Sequence, residues 1–243
     1  MNAIEIRGLR KVYGDVEAVA GLELTVAQGE LFALLGVNGA GKTTTIKMLS
    51  CLTAPTAGDA DVLGHSITKE PDGVKEVLGV SPQETAIAPN LTVAENLEFM
   101  AGVHGMSRQK AKERTLDMLQ TLGLQPVAKR RAKTLSGGWQ RRLSIALALV
   151  SQPKVLFLDE PTLGLDVLAR RELWKVVESL KGKVTVILTT HYLEEAEALA
   201  DRIAIMAGGR LRAVGTAAEL MAKTGSENLE DAFVILAQGG MAQ

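Results

Sequence analysis

The stretch LFALLGVNGAGKTT, residues 31–44, decides the fold of this chain. It opens with an apolar run, which predicts a buried strand, and the glycine-rich turn that follows matches the pattern G-x-x-x-x-G-K-[ST]. A helix is predicted directly after the turn, over Thr43 to Leu52. A strand, a glycine turn and a helix in this order form a loop whose backbone N–H groups can surround a phosphate. The stretch therefore predicts a phosphate site in an α/β fold.

Each residue type in the turn suits the binding of a nucleoside triphosphate. Glycines allow the backbone to approach the β-phosphate, Lys42 can reach the β- and γ-phosphates, and the hydroxyl of Thr43 can bind Mg²⁺. An ordinary glycine-rich turn is the alternative, and the strand and helix that flank the motif disfavour it. The predicted nucleotide-binding residues of this turn are Gly36, Asn38, Gly39, Ala40, Gly41, Lys42, Thr43 and Thr44.

Two later strands end in side chains that could act on a bound phosphate. VLFLDEP, residues 155–161, predicts a buried strand that delivers Asp159 to hold Mg²⁺ and Glu160 to polarise the water that attacks the γ-phosphate. VTVILTT is followed by His191, which could hydrogen-bond the γ-phosphate or hold that water. The alternatives are acids that cap a turn and a histidine without a function. Because the strands share one carboxyl edge in a parallel sheet, we expect these residues to lie together.

The remaining elements complete the α/β pattern. Alternation at Ala3–Arg10 and Leu22–Val26 predicts half-exposed antiparallel strands, and the turn-rich residues 53–66 are expected to rejoin their sheet. The pattern is helical from Thr92 to Leu149, and strands then alternate with helices, as in a parallel sheet. These later strands are predicted at Val155–Leu158, Val184–Thr189 and Ile203–Met206.

We therefore predict an α/β fold made of a P-loop NTPase core and two additions. The core has a mostly parallel sheet, with an N-terminal antiparallel β subdomain and an inserted α-helical subdomain at about residues 88–150. Residues 216–243 are predicted to be a C-terminal extension with a short amphipathic helix and a loose tail.

Composition limits the classes of function. The chain has 243 residues, of which 47% are hydrophobic and 23% charged, and its net charge of −1 gives no argument for binding to nucleic acid. With Cys51 as the one cysteine and no signal-like N-terminus, a cytoplasmic setting is expected. The apolar runs are far shorter than the ~18 residues of a membrane span. We expect any work at a membrane to require a partner.

Three classes of protein use a phosphate loop of this kind: GTPases, small-molecule kinases and ATP-driven motors. A GTPase would carry an NKxD tetrad after a later strand, and the sequence has none. A small-molecule kinase would carry an arginine-rich lid, for which the only candidate is KRRAK, residues 129–133, a run more typical of a solvated loop. An ATP-driven motor is the class that remains.

Five motifs, in order, resemble those of the nucleotide-binding subunit of ABC transporters: GVNGAGKTTT, SPQE, LSGGWQRR, VLFLDEPTLGLD and TTHYLEEAE. The resemblance extends from about Ile4 to Gly215 and identifies residues 1–215 as the ABC ATPase domain. It implies an enzyme that binds ATP and Mg²⁺, pairs with a second ATP-binding subunit and drives a separate transmembrane permease from the cytoplasmic side of the cell membrane. NLTVAENLEFMAGVHG, THYLEEAEALADRI and LEDAF resemble the branch that powers drug, antibiotic, sodium or polysaccharide exporters.

The resemblance assigns roles to three further residues. Tyr13 matches the aromatic residue that stacks on adenine, although it could simply be a strand aromatic. Gln83 matches the glutamine that contacts Mg²⁺ or the attacking water and links the site to the membrane partner. Asp166 matches the aspartate that contacts the opposite subunit, and an N-cap of the next helix is its alternative role.

A second glycine turn lies in TLSGGWQRR. It resembles the family signature LSGGQ, in which Ser136, Gly137 and Gly138 bind a γ-phosphate, and Trp139 stands at the position of the usual glutamine. We expect Trp139 to pack at the dimer surface and Gln140 to take the place of that glutamine. One phosphate cannot be reached from both glycine turns of one chain, so the resemblance implies a head-to-tail dimer with shared sites.

The sequence leaves several alternatives open. The dimer can be a homodimer or a heterodimer, and the ATPase can serve an importer. A soluble ABC protein acting on ribosomes or nucleic acid would need a second cassette or a coiled-coil insertion, so we expect no nucleic-acid partner. A non-catalytic scaffold would be favoured by loss of Glu160 or His191, and both are present.

Overall fold

A computed structural model describes residues 1–239 of the chain. The strands are β1 (Asn2–Tyr13), β2 (Val16–Ala27), β3 (Leu31–Leu35), β4 (Ala57–Val62), β5 (His65–Ser66), β6 (Leu78–Ser81), β7 (Val155–Asp159), β8 (Thr185–Thr190), β9 (Arg202–Ala207) and β10 (Arg210–Gly215). The α-helices are α1 (Lys42–Leu49), α2 (Pro71–Val77), α3 (Val93–Val103), α4 (Arg108–Thr121), α5 (Gly137–Leu149), α6 (Val167–Glu178), α7 (Leu193–Leu199), α8 (Ala217–Thr224) and α9 (Leu229–Ala237).

The larger sheet has the strand order β10-β9-β3-β8-β7-β6. All neighbours pair in parallel except β10, which is antiparallel to β9. Strands β3, β7 and β8 are buried along their whole length, as expected for apolar strands covered on both faces. The mostly parallel α/β fold is therefore confirmed, and the carboxyl ends of these three strands lie side by side.

The smaller sheet is antiparallel, in the order β2-β1-β4-β5, which confirms the predicted N-terminal antiparallel sheet. Its first strands are longer than predicted: β1 reaches Tyr13 and β2 begins at Val16, with only a two-residue turn between them. Irregularities in the β1–β2 register interrupt the alternation of side chains that the sequence pattern relied on. Residues 57–66 rejoin this sheet as β4 and β5, as predicted.

The predicted helical segment contains α3, α4 and α5. Helix α3 begins with a capping box, in which Thr92 and Glu95 each accept a hydrogen bond from the other's backbone N–H. The three helices share one apolar cluster with Leu156, Leu158 and Val186 of the parallel sheet. The division into a core, a helical subdomain and an extension from residue 216 stays a prediction.

The sequence pattern did not reveal β6, α2, β10 or α8. Strand β6 is four residues long and contains Gly79, which weakens its strand signal. A Cβ at Gly79 would lie 2.2 Å from the backbone oxygen of Ala148 in α5. The glycine is thus explained by the close approach of α5 to the sheet, a tertiary contact that a local pattern cannot report.

This close approach makes Gly79 a sensitive position. We expect Gly79→Ala to lower the free energy of unfolding by about 1–3 kcal/mol, since the added methyl group must push α5 away from β6. Gly102→Ala in α3 is the matched control, because nothing lies within 4 Å of its added Cβ. Urea denaturation measures both variants, and equal stability of the two would contradict the packing argument.

The predicted C-terminal helix corresponds to α9, which Asn228 caps by accepting a hydrogen bond from Asp231 N. The last residues of the predicted loose tail, 240–243, lie outside the described residues. Across the part of the chain that the structure describes, no helix combines the length and the apolar character needed to span a membrane.

Candidate active site

The turn between β3 and α1 holds its glycines for steric reasons. A Cβ on Gly36 would lie 2.5 Å from the backbone oxygen of Met206. Gly41 has a φ of +103°, and its added Cβ would lie 2.6 Å from the backbone oxygen of Ala18. Only glycine fits both positions, so the turn can bring its N–H groups close to a ligand at the start of α1.

Lys42 is buried at the first position of α1. Its Nζ donates to the Gly36 carbonyl oxygen at 2.6 Å and lies 3.2 Å from Oε1 of Glu160, which is also buried. A buried ammonium and a buried carboxylate at this distance neutralise each other. The three N–H donors of the ammonium face Gly36, the Val37 carbonyl oxygen at 3.3 Å and Glu160, so a phosphate would take the place of one of these contacts.

The two carboxylates at the end of β7 have different partners. Asp159 Oδ1 accepts hydrogen bonds from Thr43 Oγ1 at 3.1 Å and from Thr189 Oγ1 at 2.5 Å. Glu160 has a φ of +48°. Its backbone N–H donates to the backbone carbonyl oxygen and to the hydroxyl Oγ1 of Thr189. A non-glycine residue in this left-handed region costs about 1–3 kcal/mol and is typical of catalytic sites.

His191 completes the group from β8. Its Nδ1 lies 2.7 Å from Oε2 of Glu160, so the carboxylate stands between the imidazole and Lys42. The ring of Tyr192 lies next to the imidazole, with 4.1 Å between the ring centroids. The structure thus brings the Glu160 carboxylate, the His191 imidazole and the Lys42 ammonium together at the edge of the sheet.

These groups face a cavity of about 340 Å³. Its lining residues are Asn38, Gly39, Ala40, Lys42, Thr43, Gln83, Glu160, Leu163 and His191. The cavity therefore unites residues predicted from four separate motifs of the sequence. Tyr13, Asp166 and the turn Ser136–Gly138 are not part of this lining.

Tyr13 lies at the end of β1 and is 47% exposed. The ammonium of Lys11 stands 4.9 Å from the centroid of its ring, and the Ala54 carbonyl oxygen accepts a hydrogen bond from the same ammonium at 2.7 Å. The cation occupies one face of the ring. The other face is where a planar ligand could stack.

The second glycine turn precedes α5. Ser136 is the N-cap residue, but its hydroxyl makes no capping hydrogen bond. Asp166, in contrast, caps α6 by accepting a hydrogen bond from Ala169 N at 2.9 Å. A Cβ on Gly138 would lie 3.1 Å from Cβ of Ala169, so the two helix starts are in contact. The Ser136 hydroxyl and the first N–H groups of α5 are left for an external acceptor.

Gln140 differs from expectation. Its Nε2 donates to the Leu135 carbonyl oxygen at 3.2 Å and is 3.4 Å from that of Ala132. The side chain folds back on its own chain, and its replacement of the signature glutamine stays a prediction. Trp139 packs against the apolar cluster beneath the Arg142 guanidinium, 5.0 Å from the ring centroid. Its contact with a second subunit stays a prediction.

Sequence reasoning missed Arg141, a buried residue of α5. Its two terminal nitrogens donate to the carbonyl oxygens of Pro82 at 2.7 Å and Gln83 at 2.6 Å. Burial lowers the pKa of this guanidinium from its ordinary value, although Asp159 and Glu195 act in the opposite direction. One signal was present: Arg141 precedes the buried Ile145 by four residues, which places both on one helix face. Thr189 was also missed, because it lies within the predicted apolar strand and nothing in the local pattern indicates its hydrogen bond to Asp159.

A model of the family described as ABC transporter matches residues 19–163, which is more than half of the chain. The chain belongs to the ABC transporter family. It is an ABC ATPase domain, which binds and hydrolyses ATP. ABC ATPase domains dimerise and work with a membrane permease.

Two curated relatives of this ABC ATPase carry names that refer to drug resistance. The chain is 46% identical over 229 residues to the daunorubicin/doxorubicin resistance ATP-binding protein DrrA of Streptomyces peucetius, covering 94% of this chain and 69% of that protein. It is 40% identical over 227 residues to the linearmycin resistance ATP-binding protein LnrL of Bacillus subtilis (strain 168), covering 93% of this chain and 73% of that protein.

Solved structures of ABC proteins have the same fold. An ATP-binding subunit of an ABC transporter superposes with a TM-score of 0.84 at 29% identity, covering 96% of this chain and 99% of that chain. A dimeric post-hydrolysis state of the ATP-binding cassette MJ0796, bound to ADP and Pi, gives a TM-score of 0.78 at 25% identity, covering 88% and 98%. The ABC ATPase fold is therefore shared along nearly the whole chain.

Proposed function

We propose that this ABC ATPase powers the export of a drug-like or antibiotic compound through a separate transmembrane permease. The observation that carries the enzymatic part is the carboxylate of Glu160, held between Lys42 at 3.2 Å and His191 at 2.7 Å. The drug-resistance names of DrrA and LnrL support export. The subunit would act at the cytoplasmic side of the cell membrane.

In this proposal the residues around the cavity divide the work of hydrolysis. Lys42 offsets the charge of the β- and γ-phosphates, and the glycine turn binds them through its backbone N–H groups. Glu160 accepts the proton of the attacking water, while His191 orients that water or contacts the γ-phosphate. Gln83, which lines the same cavity, contacts the γ-phosphate or the water in this proposal.

Magnesium fits the oxygen donors beside these residues. The Thr43 hydroxyl and the Asp159 carboxylate lie 3.1 Å apart, and the Gln83 side chain lines the same cavity. Hydroxyl, carboxylate and amide oxygens are hard ligands of the kind that Mg²⁺ binds together with phosphates. When bound, the metal would supply positive charge that offsets the negative charge of the phosphates.

A second copy, or a related subunit, would complete each site. Ser136, Gly137 and Gly138 are outside the cavity of their own chain, and the Ser136 hydroxyl is not used as a cap. In a head-to-tail dimer this turn would bind the γ-phosphate held by Lys42 of the other chain. Asp166, next to the turn, would then lie near the phosphate loop of that chain.

The permease would dock beside Gln83. A cleft of about 180 Å³ lies between the loop after β6 and helices α3 and α5, with Pro82, Met100 and His104 in its wall. Phe99 and Val103, one turn apart on α3, are more than 60% exposed. An apolar surface of this kind suits a partner segment.

Tyr13 is proposed to stack on the adenine ring. Base–aromatic stacking contributes about 1–3 kcal/mol, so we expect Tyr13→Ala to raise KM for ATP by roughly tenfold with little change in kcat. Tyr13→Phe keeps the ring and is expected to retain the KM of the parent protein. Steady-state ATPase assays check both variants, and an unchanged KM for Tyr13→Ala would remove the stacking role.

Co-expression with a candidate permease tests the proposed function as a whole. The two proteins are expected to co-purify, and inside-out membrane vesicles containing both are expected to accumulate drug when ATP is supplied. The Glu160→Gln variant serves as the control, since it should assemble without transport. Ribosome co-sedimentation together with failure to bind any permease would overturn the proposal, and ATP-driven movement of the substrate toward the cytoplasmic side would favour an importer.

A further inference from the structure

Helix α7 carries a fully buried glutamate that hydrolysis, as proposed above, does not use. Oε1 of Glu195 accepts a hydrogen bond from the indole Nε1 of Trp174 at 3.0 Å. Within residues 1–239, Oε2 of Glu195 and Oγ1 of the buried Thr162 have no hydrogen-bond partner. A glutamate this deeply buried is rare and costly, so its position calls for an explanation.

The carboxyl of Glu195 lies where three segments of the site meet. Thr162, two residues after Glu160, and Thr190, directly before His191, both have hydroxyl groups beside it. Trp174 belongs to α6, the helix that Asp166 caps. The Glu195 side chain therefore contacts all three segments, which carry Glu160, His191 and Asp166.

A second contact joins α6 to the same region. The guanidinium of Arg170 stands 4.8 Å from the ring centroid of Tyr192 and 3.9 Å from Glu194. The Tyr192 ring in turn lies against the imidazole of His191. Helix α6 is thus attached to the His191 segment at two levels, one turn apart along its length.

We propose that Glu195 is a positioning residue for ATP hydrolysis. By joining Trp174 of α6 to the ends of β7 and β8, it keeps the imidazole of His191 at 2.7 Å from Glu160 and ties that distance to the position of α6. The inference rests on the proposed roles of Glu160 and His191. It adds a route by which a contact made by Asp166 in a dimer reaches the reacting groups.

The state of the carboxyl agrees with this role. Burial raises the pKa of Glu195 above its ordinary value, and the nearby Glu160 acts in the same direction. In its neutral form the carboxyl has one O–H donor, from which the hydroxyl of either Thr162 or Thr190 can accept a hydrogen bond. In that form it can accept from Trp174 of α6 and donate to one of the two threonines.

Substitution of Glu195 tests the inference. We expect Glu195→Ala to lower kcat by about 10–100-fold through misplacement of His191, with KM for ATP nearly unchanged. Glu195→Gln keeps an acceptor for Trp174 and adds an N–H donor, so most activity should be retained. Glu197→Ala, at an exposed position of the same helix, is the matched control and should behave like the parent protein.

A double-mutant cycle separates positioning from a general effect on the fold. In a His191→Ala background, Glu195→Ala should cause no further loss of kcat, since both act through one group. Full activity of Glu195→Ala, equal losses in the alanine and glutamine variants, or parallel losses of kcat and nucleotide affinity would each overturn the inference. If Glu195→Ala does not fold, Trp174→Phe removes the indole donor while keeping an aromatic ring, and an unchanged kcat in that variant overturns the inference.

The same set of variants distinguishes this inference from the proposed function. If His191→Ala and Glu160→Gln keep full ATPase activity, the proposed roles at the site are wrong. If these two lose activity while Glu195→Ala keeps it, only the positioning role is wrong.

Discussion

Replacing Glu160 with glutamine is expected to lower ATP turnover by about 10²–10⁴-fold, the usual effect of removing a general base. The amide has nearly the same shape but cannot take a proton from water. ATP binding should persist, because the glycine turn and Lys42 are unchanged. Hydrolysis normally separates the two subunits in this mechanism, so the variant should accumulate as an ATP-bound dimer. Phosphate release, nucleotide binding and size exclusion measure the three outcomes.

Glu178→Gln provides the control for the loss of a carboxylate. Glu178 is exposed near the end of α6, and its substitution should leave turnover and oligomeric state unchanged. A Glu160→Gln protein that stays monomeric in saturating ATP would count against the dimer mechanism. Near-normal turnover in that variant would remove Glu160 from the catalytic role.

Substituting Ser136 with arginine is expected to abolish ATP-dependent dimer formation and cooperative ATPase activity. The new side chain adds bulk and positive charge where the γ-phosphate of the other subunit would lie. Because the Ser136 side chain is exposed and makes no capping hydrogen bond, the fold should not be affected. Gln125→Arg adds the same charge at another exposed position and should retain activity.

Mixing two inactive variants decides whether the site is shared between chains. A Ser136→Arg chain still has Lys42, and a Lys42→Ala chain still has Ser136. In a head-to-tail dimer of the two, one site contains both intact groups, so the mixture should hydrolyse more ATP than either variant alone. No complementation in the mixture, despite mixed dimers in size exclusion, would show that both groups act within one chain.

The sequence predicted the parts of the site that local patterns specify. The apolar strand, the glycine turn and the helix around Lys42 are one continuous stretch, and Glu160 and His191 each follow an apolar strand. Their proximity follows from parallel pairing, which places strand ends at one edge. Family resemblance, rather than pattern, supplied Gln83, Asp166 and Tyr13.

Long-range contacts account for what the sequence did not reveal. The hydrogen bond from Thr189 to Asp159 joins residues 30 positions apart, and Arg141 reaches a carbonyl oxygen 59 positions away. The indole N–H of Trp174 in α6 donates a hydrogen bond to Glu195 in α7. None of these partners can be recognised from the spacing of residues in the sequence, because each contact depends on how the helices and strands pack in the folded chain.

The hydrogen bonds from Arg141 to the loop after β6 have a mechanical consequence. Arg141 lies one turn beyond the residues that open α5, and its two hydrogen bonds fix the backbone at Pro82 and Gln83. Any force that displaces this loop is therefore passed to the start of α5. If the permease docks beside Gln83 and the subunits pair head to tail, as proposed above, movement of this loop would change the angle at which one subunit presents its glycine turn to the other. Permease binding and dimer closure would then be coupled through Arg141.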